Sequence, residues 1–391
     1  MAGASEAAWS PYNVGERGCA TGRLCGAQLR SRKAGAGVVL VSPEPRGRWR
    51  RPGGAVRRFR LGGEVVPELP LSATVELHDP SRVPTCHEAC WTLHYVLAGR
   101  GSAVACPSPG QGADGSGESA SECGNDVSVL PLSAGDSVLF PPGAAHVLRP
   151  EGRLGSLATL ALVLPQGLED ADGLASAAGV AEAAEYAGVW AREEGLGELS
   201  AADVAALLGL EDGEDDEAVV IDAGAGDTDT EDSDSGLVAR NGLLKKGLRE
   251  LVSFKPPNGD SNSLALVFSG GEQGGLPFTF ALEIFRAGHR TPPHVHETAH
   301  ELFFVLKGSG EVYCGGTSAE HRVPIGPGDL LVMPPGATHG IDAGGEEPLY
   351  TLELMLPNAN FAEFVRAGAP AGRIEDEALC DIIHVGCAAG E

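Results

Sequence analysis

Two stretches of the chain alternate short apolar runs with Gly- and Pro-rich turns, and a stretch between them does neither. In the second half, Leu302-Phe-Phe-Val-Leu306 and Leu330-Leu-Val-Met333 have strand length and are bounded by turn residues. In the first half, Ser137-Val-Leu-Phe140 reads the same way, and Val38-Val-Leu-Val41 predicts a further strand near the N-terminus. Each half closes on an apolar strand ending in Leu-Pro, at 157–165 and at 349–357. Between the halves, 168–210 is Ala-rich, and Ser200 with Asp203 is placed as an N-cap and its acidic partner, which predicts a helix ended by Gly209. Residues 211–235 are almost all acidic or small, a composition that predicts a solvated linker. The run from Leu243 predicts a short amphipathic turn leading into the second strand-rich half, and 361–367 predicts a short closing helix.

The chemistry gathers in 288–339. Gly288, His294, His296, Glu301 and Gly308 are followed by Gly328, Pro334, Gly336 and His339. Alternation puts His294 and His296 on one face of a strand, and a turn through Glu297–Ala299 brings Glu301 back beside them. The Pro-Pro-Gly turn presents the third histidine. Three imidazoles and a carboxylate suit a first-row divalent metal with positions left open for water or substrate. The pattern has a copy: Gly135 to His146 matches Gly328 to His339 landmark for landmark. Aligning Gly99 with Gly308 sets Thr85 at the place of His294, His87 at His296 and Thr92 at Glu301, so two of four donors are missing. His94 could join His87 and His146 in a displaced set, but two strand positions amount to roughly 6.6 Å. One metal is therefore expected, in the second half. Cys86 and Cys90 flank the first copy, and Cys86 alternates outward.

The spacing G-x5-H-x-H-x4-E-x6-G, then G-x5-P-x-G-x2-H, resembles the two motifs of the cupin superfamily; an Asn that often follows is Ala343 here. The resemblance implies an all-β-dominated chain with two cupin barrels (double-stranded β-helix, jelly-roll) joined by a helical and acidic linker. The expected organisation is a basic arm at 1–55, a degenerate barrel at 56–166, a helical connector at 167–210, an acidic linker at 211–236 and a metal-binding barrel at 237–391. It also implies metal ligation by His294, His296, Glu301 and His339. Fe(II) or Mn(II) is the favoured metal, with Ni(II), Co(II) and Zn(II) compatible with the same donors. Family activities range over dioxygenases, oxalate decarboxylases and oxidases, isomerases, lyases and non-catalytic binding proteins. The ligand set is similar to that of germins and oxalate-degrading bicupins, which keep an arginine near the first histidine for the substrate carboxylate. Arg290 is the candidate for that anion contact, although it is one step out of register. The expectation is an oxygen-using oxidoreductase, dioxygenase-like or oxalate-type, acting on a small organic acid or polar metabolite. The alternatives are a non-catalytic metal- or ligand-binding cupin, and a cupin isomerase or lyase.

Composition narrows the partners. The 391 residues carry a net charge of −26, which argues against nucleic acid and anionic membrane, and no apolar run has the length of a membrane span. The partner expected is a small-molecule substrate, with homo-oligomerisation through barrel edges. Nine scattered cysteines and no apolar secretory leader point to a reducing, cytoplasmic setting with free thiols. Residues 1–55 are rich in Arg and poor in acid, as in a plastid or mitochondrial transit peptide or as in an arm that packs on an acidic body.

Overall fold

The computed structural model describes the strands between 20 and 61 and residues 69–165 and 237–374, with Ala378 and Ile382. Excepted are 79–83, 107–126, 152–156, 241–242, 271–274, 315–320 and residues 88 and 259. The expected helix at 168–210 and acidic linker at 211–236 lie outside the described residues. Three strands come first: β1 (Ala20–Leu24), β2 (Ala27–Gly35) and β3 (Val38–Ser42). The first barrel follows with β4 (Ala55–Leu61), β5 (Ser72–His78), β6 (Cys90–Cys106), β7 (Ser128–Ser133), β8 (Asp136–Phe140), β9 (Ala145–Pro150) and β10 (Leu157–Pro165). A hairpin, β11 (Leu237–Arg240) and β12 (Leu243–Gly247), precedes one 3-10 turn at Leu248–Glu250. The second barrel contains β13 (Val252–Lys255), β14 (Ser263–Phe268), β15 (Thr279–Phe285), β16 (His289–Arg290) and β17 (His300–Lys307). It continues with β18 (Gly310–Cys314), β19 (His321–Ile325), β20 (Leu330–Met333), β21 (His339–Ala343), β22 (Leu349–Leu356), α1 (Phe361–Arg366) and β23 (Ala369–Arg373).

In the second barrel the order β20-β17-β22-β15-β14-β13-β23 forms one sheet and β16-β21-β18-β19 the other. The first barrel repeats this with β8-β6-β10-β5-β4, while the far half of the long β6 pairs with β7 and β9. Gly308 turns the chain between β17 and β18 with φ of 86°, and a Cβ there would run into the Pro348 carbonyl, so no other residue fits.

The continuous apolar run of each closing strand has a physical cause. Every residue of β10 and of β22 is buried, because both faces of each strand are covered. Leu160, Leu162 and Leu164 of β10 share one core cluster with Leu352, Leu354 and Leu356 of β22, which joins the two barrels back to back. Each such leucine contributes about 1.5–3 kcal/mol on burial. The alternate residues face the barrel interiors. In the second barrel Phe285, Phe303, Val305 and Met333 pack there, and in the first Val96, Val138 and Phe140.

The halves also exchange strands. β3, from the N-terminal arm, pairs with β20 of the second barrel, Leu40 opposite Leu331. Conversely β12, expected as a turn entering the second barrel, pairs with β8 of the first, Lys245 opposite Val138.

Candidate metal centre

Two backbone contacts build the site. His294 and His339 exchange N–H···O hydrogen bonds of 3.0 Å each, which sets their rings side by side with centroids 4.4 Å apart. The Gly336 N–H donates to the His296 carbonyl at 2.8 Å, tying the Pro-Pro-Gly turn to the His-x-His strand. Glu301, on β17 between Met333 and Met355, completes the set from the barrel wall. One ligand atom from each of His294, His296, Glu301 and His339 lies within 4.8 Å of the others. The structure thus brings together all four ligands read from the sequence.

The tautomers are fixed from behind. His294 Nδ1 donates to the Pro292 carbonyl at 3.0 Å and His339 Nδ1 to the Ala337 carbonyl at 2.8 Å, so each ring turns its Nε2 toward the others. Glu301 Oε2 is 2.5 Å from His339 Nε2, and Oε1 is 3.4 Å from His296 Nε2. Burial alone would raise the Glu301 pKa, but the His339 and His296 imidazoles outweigh it and hold the carboxyl well below its usual range. His339 is raised in return, because Glu301 overcomes the lowering by burial. Nε2 of His296, Nε2 of His339 and Oε2 of Glu301 are buried with no well-formed hydrogen bond. Convergent, buried donors of this kind fit a divalent cation.

The ligands open on a cavity of about 330 Å³. Phe285, Phe303 and Met355 form its apolar wall, and Phe361 of α1 closes over His296 with ring centroids 6.4 Å apart. Ala359 and Asn360, which lead into α1 at the cavity rim, have φ of 46° and 64°, a left-handed conformation that costs non-glycine residues energy. Two further carboxyls line the cavity and were not read from the sequence. Glu283 and Glu353 are 5% and 2% exposed. Burial raises both: Glu283 is pushed up to about 8, with the charges of Glu301 and Asp260 adding to it against the Asn262 hydrogen bond, and Glu353 rises well above its usual range, with Glu283 and Glu301 adding to it. Asn262 donates to Glu283 from the next strand. A single Glu in an apolar strand reads as the solvent-facing position, and only the two-sided burial of β22 reveals otherwise.

Arg290, the sequence candidate for a substrate anion, is not at the cavity. It pairs with Asp342 on the four-stranded sheet, and its guanidinium lies 4.4 Å from the Tyr313 ring centroid. The antiparallel pairing of β16 with β21 sets its direction. No Lys or Arg lines the cavity among the described residues.

The first barrel keeps the scaffold of this site with two of its four donors, His87 and His146. Thr85 and His146 exchange backbone hydrogen bonds of 2.8 and 2.7 Å, and the Gly143 N–H donates to His87 at 2.7 Å. The Thr85 hydroxyl bonds His146 Nε2 at 3.4 Å, and Phe140 stacks on the His146 ring at 4.1 Å. Among the described residues His87, His94 and His146 form no group of converging ligand atoms; His94 falls in with Glu76 and His78 instead. Cys86 is exposed and Cys90 buried, and neither is in a disulfide.

Residues 281–355 match the family model described as Cupin domain. The match places a cupin domain in the second barrel, and the first barrel repeats its landmarks and its strand order. Solved structures of similar shape include Lactobacillus farciminis oxalate decarboxylase with formate, at 15% identity and TM-score 0.47, covering 87% of this chain and 91% of that one. Bacillus subtilis oxalate decarboxylase at pH 4.6 follows at 14% identity and TM-score 0.49, covering 88% and 81%. The same enzyme, in a study of its Mn(II) centres, gives 14% identity and TM-score 0.47, covering 87% and 82%. No curated protein matches the chain in sequence. Among the described residues no helix is long and apolar enough to cross a membrane.

Proposed function

We propose that the second barrel is the active site of a metal-dependent, oxygen-using oxidoreductase that acts on a small polar metabolite. The observation that carries this reading is the open face of the ligand set: His294, His296, Glu301 and His339 converge at one end of a cavity of about 330 Å³. These four residues would hold Fe(II) or Mn(II). When bound, such a metal supplies Lewis acidity and a redox partner for dioxygen.

The protein's own groups do the rest. Pro292 and Ala337 carbonyls keep the imidazoles oriented, and Phe285, Phe303 and Phe361 exclude water. Glu353 and Asn262 present hydrogen-bonding atoms to whatever fills the cavity. The absence of Lys and Arg from the described lining favours an uncharged hydroxyl-bearing metabolite over a dianion such as oxalate.

The test is oxygen uptake by Fe(II)- or Mn(II)-loaded protein with a panel of phenols, polyols and small acids. Uptake is expected with hydroxyl-bearing compounds. Carbon dioxide release from oxalate would overturn the substrate reading and favour a lyase. Stoichiometric metal with no turnover anywhere in the panel would favour a binding protein.

A further inference from the structure

The first barrel assembles a donor set of its own, two of its three residues on a strand that the sequence motifs do not mark. Glu76 and His78 are alternate residues of β5, and His94 belongs to β6. The three side chains are 0%, 3% and 2% exposed, and one ligand atom from each lies within 4.8 Å of the others. His78 Nε2 is 4.0 Å from Glu76 Oε2. The Thr159 hydroxyl of β10 sits between the two rings, 2.8 Å from His78 Nε2 and 3.1 Å from His94 Nδ1. A hydroxyl donates to one imidazole and accepts from the other, so Thr159 already gathers the rings around one point.

Strand pairing shows that these are not the places of the second barrel's ligands. His78 lies opposite Leu157 and His94 opposite Ala161. In the second barrel the corresponding pairs are Phe285 with Leu349 and Phe303 with Glu353. Two histidines therefore stand where the repeat has two core phenylalanines. Glu76, opposite Thr159, keeps the place of Glu283, opposite Thr351, so what the first barrel adds is a pair of imidazoles beside a buried acid that both barrels share.

We propose that Glu76, His78 and His94, with the Thr159 hydroxyl as fourth donor, bind a divalent cation of the Zn(II) class as a buried structural ion. Two imidazoles and one carboxylate are a zinc donor set, and four protein donors leave the site closed. Four donors about 2.1 Å from one ion in a tetrahedron stand roughly 3.4 Å apart, so binding draws in a pair as far apart as 4.8 Å by at most roughly 1.4 Å. The ion would fasten β5, β6 and β10 at the barrel interior, a different task from that of the open site.

The test uses the full chain with the second-barrel site disabled by His294→Ala and His339→Ala, stripped with chelator and titrated with Zn(II). One tightly bound equivalent and a Zn(II)-dependent rise in Tm are expected to remain. Adding His78→Phe and His94→Phe, the residues of the other barrel, should abolish both while circular dichroism is retained. Co(II) as a probe should give ligand-field bands without thiolate charge transfer, which separates this site from the cysteines. If the phenylalanine variant does not fold, Glu76→Gln in the same background keeps the volume and should weaken Zn(II) binding at least 10-fold. Unchanged Zn(II) content in the phenylalanine variant, unchanged affinity in Glu76→Gln, or a thiolate band would each overturn the proposal.

Discussion

Glu301 of the second barrel lies between Met333 and Met355, while its counterpart Thr92 lies between Phe140 and Val163. The backbone frame is the same at both sites, down to the paired bridge and the turn glycine that bonds the second position of the His-x-His step. What differs is the depth of the polar layer. The second barrel places its donors near the mouth and fills the layer beneath with Phe285 and Phe303. The first has Thr85 and Thr92 at the mouth and puts His78 and His94 beneath. A jelly-roll interior thus offers alternate inward positions on the same strands, and moving donors from one layer to the next turns an open site into a closed one.

Removing the layer beneath the second site gives the largest effect. Phe285→Ala empties a fully buried position and should cost about 3–5 kcal/mol, read by urea denaturation. A loss under about 1 kcal/mol would mean that the layer is not the packed floor described above. Next comes the mouth layer itself. Glu301→Gln should lower metal affinity by about 10- to 100-fold, in the range of other perturbations of ligand support. Thr92→Val in the first barrel should leave metal content unchanged. Titration of the metal-free protein with and without chelator checks both, and wild-type affinity in Glu301→Gln would remove this residue from the ligand set.

A third test uses the buried acid. Glu283 has its pKa raised from 4.5 to about 8, so between those values the folded chain holds a proton that the unfolded chain has released. Stability of the metal-free protein should therefore fall as pH rises through that window, by about 1.4 kcal/mol per pH unit for this one group. Glu283→Gln should remove that slope. A variant with the wild-type slope would show that the carboxyl is not held neutral. The smallest effect belongs to Arg290→Ala, which loses a contact with Tyr313 worth about 0.5–1 kcal/mol. Its catalytic parameters should match wild type; a raised KM for an anionic substrate would restore the role suggested by the sequence.

The convergence of His294, His296, Glu301 and His339 was legible because turns set their spacing along the chain, so landmarks at fixed intervals carry the geometry. Arg290 was not, because the pairing of β16 with β21 decides its direction, and nearness in sequence to His294 says nothing of that. Glu76, His78, Glu283 and Glu353 lie inside strands far from any motif. Their meaning depends on which neighbours lie across β10 and β22, a fact of register between distant segments. The barrels themselves were read from repeated apolar runs, whereas the strands traded between halves left no local mark.

That trade has a consequence for how the chain reaches its native state. Val41 finds its partner only when Leu330 has been made, and Val138 waits for Lys245. The first barrel cannot complete its β8 edge as soon as its own segment leaves the ribosome, and the second closes on a strand made long before it, so the contacts that close each sheet are distant in sequence and slow to form. Proteolytic cutting between β10 and β11 should accordingly leave two pieces that still migrate as one particle, each holding a strand of the other.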